Sequence, residues 1–148
     1  MAAIPKTIKT DLDAMDDIKS LLVSAGISDE LTGEIRIAQR RLGSTKEDCV
    51  INCLLWDADQ FQAGVFNVNF HVPNLTGQVS ENPTATDRTQ PNTERMVELG
   101  KMAVAVLDDH HGGDFALSLR NPGKLETNGA SEWLYNIEVN YMYLRRDL

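Results

Sequence analysis

Val65 leads into Phe66-Asn67-Val68-Asn69-Phe70-His71-Val72, which alternates apolar and polar side chains without a break. A period of two marks a β-strand with one face in a core and the other outside it. Phe66, Val68, Phe70 and Val72 belong to the buried face, and Asn67, Asn69 and His71 to the opposite one. Pro73 has no N–H to offer a ladder and ends the strand. Just upstream, Cys49-Val50-Ile51-Asn52-Cys53-Leu54-Leu55-Trp56 is almost wholly apolar, which predicts a strand buried on both faces. A sheet therefore sits at the centre of this fold.

Working outward, Glu34-Ile35-Arg36-Ile37-Ala38 alternates again and predicts a strand that can run on to Leu42. Before it, Leu12, Met15, Ile18 and Leu22 recur at helical spacing within residues 10–25, with Thr10 as N-cap, Asp13 in capping-box position and Gly26 as the stop. Downstream, residues 74–90 are rich in Thr, Pro, Asn and Gly, with no hydrophobic period, and are expected to be a long mobile loop. Pro91-Asn92-Thr93 opens a second helix carrying Met96, Leu99, Met102, Ala103, Val106 and Leu107, which is expected to stop at Gly112-Gly113. Phe115, Leu117 and Leu119 mark a strand ending at Asn121-Pro122-Gly123. Tyr135, Ile137, Val139, Tyr141 and Tyr143 mark another, with Asn136, Glu138 and Asn140 on its other face. The expected fold is a single α+β domain over residues 1–148, a mixed, largely antiparallel sheet with two helices packed on one face. Its core should hold Leu12, Ile18, Leu22, Phe66, Val68, Phe70, Leu99, Val106, Ile137 and Val139.

With 148 residues and 42% hydrophobic content, the chain has the mass for one real core. A net charge of -8 excludes a globally basic nucleic-acid binder. No stretch approaches the ~20 apolar residues of a membrane span, and the start of the chain has no apolar run of signal-peptide type. The expectation is a soluble protein made in a reducing cytoplasm. Cys49 and Cys53 lie ~13 Å apart on one strand, too far for a disulfide or a shared metal, and read as small hydrophobes.

Chemistry-bearing motifs are scarce. Asp57 opens a stretch like a calcium loop, but Phe61 and Gln62 stand where a ligand and a glycine are needed. His110 and His111 diverge if helical, and fit a polar helix C-terminus better than a metal site. No phosphate loop, nucleophile elbow or zinc spacing is present, so neither cofactor nor catalysis is expected. The feature that stands out is two polar rows, Asn67-Asn69-His71 and Asn136-Glu138-Asn140. They form a solvated outer sheet face, or else a surface that lines a polar channel or docks another subunit. Asp87 and Arg88 add candidate polar contacts on the long loop.

Glu47-Asp48-Cys49-Val50-Ile51-Asn52-Cys53-Leu54, followed by Gln62-Ala63-Gly64-Val65-Phe66-Asn67-Val68-Asn69-Phe70-His71-Val72-Pro73-Asn74-Leu75, resembles the tail-terminator (tail-completion, or neck) proteins of long-tailed bacteriophages and prophages. The order of elements follows that outline over most of the chain. The resemblance implies a ring, commonly a hexamer, that caps the tail tube and meets the head connector. Its partners would be further copies of itself, the tail-tube protein and the head-connector protein, with no membrane. DNA would pass through without specific binding, which suits an acidic chain. The place of action would be the virion neck, after synthesis in the host bacterial cytoplasm. A related head–tail joining or tail-tube subunit is the nearest alternative. A small cytosolic ligand-binding domain or enzyme, with a site assembled in space, is the alternative of a different class.

Overall fold

The computed structural model describes residues 8–58, 61–79, 82–129 and 131–144. The start of the chain, two residues of the stretch that Asp57 opens and two within residues 74–90 lie outside them. Helix α1 spans Asp11–Ser24. Thr10 caps it in a full capping box: its hydroxyl accepts from the Asp13 N–H, and the Asp13 carboxylate accepts from the Thr10 N–H. Gly26, at φ 85°, takes the left-handed turn that ends this helix. A short helix α2, Ile27–Glu30, follows and seats Ile27 in the core. The sequence reading did not include it, because one turn is too short to show a period.

Strand β1, Ile35–Ile37, is shorter than expected. Ala38 turns to φ 70°, which breaks the extended backbone well before Leu42. Strands β2, Asp48–Ala58, and β3, Phe61–His71, form an antiparallel pair. The ladder runs through Asp57, so Asp57 and Ala58 extend a strand rather than interrupt it. Residues 74–90 are not a structureless loop. They contain β4, Gly77–Val79, and β5, Asn82–Asp87, paired as a separate two-stranded ribbon. Helix α3, Thr93–Leu107, is capped by the Asn92 side chain, which accepts from the Arg95 N–H. It ends at Leu107, and not at Gly112. His110 and His111 lie on a short strand, β6, His110–Gly112, instead of a helix C-terminus. Strand β7, Phe115–Thr127, passes through Asn121-Pro122-Gly123 and does not end there. Register shifts on either side of Asn121 absorb the proline on an unpaired strand margin. Strand β8, Trp133–Leu144, completes the sheet.

The main sheet runs in the order β1-β2-β3-β8-β7-β6. Only β1 and β2 are parallel, so the mixed, largely antiparallel α+β fold read from the sequence is the observed one. Helices α1 and α3 pack on one face. Ala14, Met15, Ile18 and Leu22 from α1 and Met96, Leu99, Ala103 and Leu107 from α3 meet Cys49, Ile51, Phe66, Val68, Phe70, Ile137, Val139 and Tyr141 in one core. Full burial of each large side chain contributes on the order of 2 kcal/mol. Two expected core residues are corrected. Leu12 is 53% exposed, because it sits more than a quarter-turn away from the Ala14–Ile18–Leu22 face. Val106 is only half-buried, at the margin of α3. Strand β2 is buried on both faces only as far as Ile51; Leu54 and Leu55 are exposed where β1 no longer flanks it. Among the described residues, no helix is long and apolar enough to cross a membrane.

Candidate functional site: the open face of the sheet

The pleat that sends Phe66, Val68 and Phe70 into the core sends Val65, Asn67 and Asn69 to the face away from α1 and α3. Register extends this face across the sheet. Asn52, Asn67, Glu138 and Asn121 stand at one level, and Val50, Asn69, Asn136 and Lys124 at the next. Three of the sequence-selected residues converge here. The Asn136 amide donates to the Asn69 side-chain oxygen at 2.7 Å and to that of Asn67 at 3.1 Å. Asn136 is only 3% exposed, and its side-chain oxygen has no hydrogen-bond partner among the described residues. Such an acceptor is costly to bury unmet. Glu138 faces Arg120 at 3.4 Å, and Asn140 donates to Ser118 at 3.4 Å.

The remaining candidates stand apart from this row. His71 lines a small cleft with Arg40, Ser44 and Trp133. Burial, with the nearby Arg40 charge, lowers its pKa, so it is held neutral. Asp87 is engaged by its own turn: it accepts from the Thr89 N–H at 2.8 Å, the Thr89 hydroxyl at 2.7 Å and the Gln90 amide at 3.2 Å. Those Thr89 bonds, first of all, hold its carboxyl below the usual range. Arg88 is exposed, and its carbonyl accepts from the Asn74 amide. No hydrogen bond or ion pair among the described residues joins Asp87 or Arg88 to Asn67, Asn69 or Asn136. His110 and His111, adjacent on β6, point to opposite faces.

Sequence reasoning missed the other half of the open face. Where the asparagines end, Leu55, Ala63, Val65, Ala116 and Met142 line a groove of about 600 Å³, with Asp57, Asp109, His111, Ser118 and Asn140 contributing polar groups. Leu55 and Met142 are 61% and 51% exposed. The only forewarning was that Met142 continues the Asn136-Glu138-Asn140 side of its strand; Leu55 reaches this face only through the register shift between Cys53 and Leu55.

Two ion-pair clusters stand at the ends of the sheet. Asp48, 2% exposed, accepts from the Glu34 N–H at 3.0 Å, from Arg40 at 2.7 Å and from the Ser44 hydroxyl. Burial opposes its ionisation, but the Ser44, Arg40 and Glu34 bonds outweigh it and hold the carboxyl below its usual range. Gly33 is required beside it, since a Cβ there would collide with the Glu47 carbonyl and the Asp48 carboxylate. At the other end, Lys9 reaches Asp17 at 2.6 Å and Asp114 at 2.9 Å while lying 4.4 Å from the Tyr143 ring centroid.

No family model matches this chain, and no curated protein matches it either.

Proposed function

We propose that this chain is a structural assembly subunit of a phage or prophage virion, one that closes into a ring on the tail tube and joins it to the head connector. The supporting observation is the one-sided sheet. Two helices cover one face, while the other presents a bonded asparagine cluster with an unmet acceptor beside an apolar groove. Contiguous apolar surface rimmed by polar groups favours a protein contact, and a contact between unlike surfaces of identical subunits generates rings when the rotation closes. The resemblance carried by Glu47 to Leu54 and Gln62 to Leu75 supplies the tail-tube context. Sedimentation at rising concentration with negative-stain imaging tests the reading, and rings are expected. Particles built only from two-fold dimers would overturn it.

The groove also favours a second reading, because its volume falls in the range of small-molecule sites. That reading expects a compound to raise the melting temperature of wild type and not of a Met142→Glu variant. A library that yields no such compound disfavours it.

A further inference from the structure

The outer surface of α1 carries a stripe, with an exposed apolar residue at each end of a charged pair, that its own core does not use. Leu12, Asp16, Lys19 and Val23 are spaced four, three and four apart, which places them on one side of the helix. Leu12 is 53% exposed and Val23 44%. Lys19 has no ion pair among the described residues, unlike Lys9 beneath it. On the opposite side of the molecule lies the groove lined by Leu55, Val65 and Met142, with Asp57 and Asp109 at its margin.

We infer that the α1 stripe of one copy docks into the sheet groove of the next, a head-to-tail contact that names the two surfaces of the self-assembly proposed above and rests on that reading. The dimensions agree. From Leu12 to Val23 the helix rises about 16 Å. The groove crosses from β2 to β7, three strand spacings or about 14 Å, so a helix laid across the strands fills it. Charge agrees as well. Lys19 lies between the two apolar anchors and meets a margin that carries Asp57 and the Asp109–His111 pair, while Asp16 is matched by the second amide hydrogen of Asn140 and the Ser118 hydroxyl. The stripe and the groove sit on opposite faces of the sheet, so the contact is heterologous and leaves both surfaces of a dimer available to further copies.

Two surface variants test this without touching the core: Leu12→Glu with Val23→Glu on the stripe, and Leu55→Glu with Met142→Glu in the groove. Circular dichroism and urea unfolding confirm that each is folded, and sedimentation velocity to millimolar concentration reads the mass. Wild type is expected to assemble, and each variant to associate at least about tenfold more weakly. An equimolar mixture is expected to stop at a heterodimer, because one stripe and one groove remain intact between the two. Wild-type assembly by both variants would overturn the pairing and leave ring formation standing. A mixture that stays monomeric would also overturn the pairing. Wild type that remains monomeric throughout would overturn both the pairing and the assembly reading beneath it.

Discussion

Gln62 holds the main chain of Lys9 by both of its groups. Its side-chain oxygen accepts from the Lys9 N–H at 2.8 Å, and its nitrogen donates to the Lys9 carbonyl at 2.6 Å. Gln62 is fully buried on β3, so this amide fastens the segment ahead of α1 to the centre of the sheet. Lys9 then reaches on to Asp17, Asp114 and the Tyr141 hydroxyl.

Removing that fastening strands buried main-chain groups. Gln62→Ala is expected to cost about 1–3 kcal/mol in urea unfolding. Hydrogen exchange should show the loss of protection concentrated at Lys9 and the first turn of α1. Uniform loss over the whole sheet would instead mean that Gln62 matters through packing alone.

Asp48 makes stability depend on pH in the acid range. Its folded pKa lies below the ordinary 3.8, so between the two values the unfolded chain binds the proton and the folded chain does not. Stability therefore rises with pH across that window, is fully present above about pH 5 and is lost as pH falls through the folded value. Asp48→Asn is expected to lower stability at pH 7 and to flatten the acid limb of the melting-temperature profile.

Tyr141 has the opposite sign at alkaline pH. Burial, reinforced by donation to Asp17 at 2.6 Å, pushes its pKa well above 10. Its contribution is complete below pH 10 and is lost as the pH rises beyond that, where only the unfolded chain ionises. Tyr141→Phe should be less stable than wild type at pH 7, and the gap should narrow above pH 10. Ultraviolet titration should show one tyrosine fewer resisting ionisation.

Phe70 and Leu12 separate core from surface. Phe70 is fully buried, and Phe70→Ala is expected to cost about 3–5 kcal/mol. Leu12→Ala, at an exposed site, should stay within about 0.5 kcal/mol in the isolated subunit. Comparable losses in the two variants would place Leu12 in the core after all.

Periodicity alone placed the central strands, both long helices and their inward faces. Alternation at residues 65–72 and the heptad-like spacing at Met15, Ile18 and Leu22 are direct consequences of which side chains leave water. The same local signals identified Thr10 as a cap and Pro91-Asn92-Thr93 as a helix entry, since capping needs only neighbours in sequence. The asparagine rows were legible as a face, because the pleat fixes which side each residue takes. What joined them was not legible: the bonds from Asn136 to Asn67 and Asn69 depend on β3 pairing with β8 in one register, across 69 and 67 residues of chain. Leu12 kept its helical spacing and still faced outward, because a stripe two turns wide fits more than one axis and only packing chooses. The β4–β5 ribbon, the short β6 and the passage of β7 through Pro122 gave no hydrophobic period, since ladders on a margin are held by main-chain bonds that any residue can make. Patterning thus determined which residues are apolar together and in which element. Tertiary structure decided which of those apolar sets is covered by the chain itself and which, like the α1 stripe and the sheet groove, stays open, because coverage depends on contacts between distant segments that no local window contains.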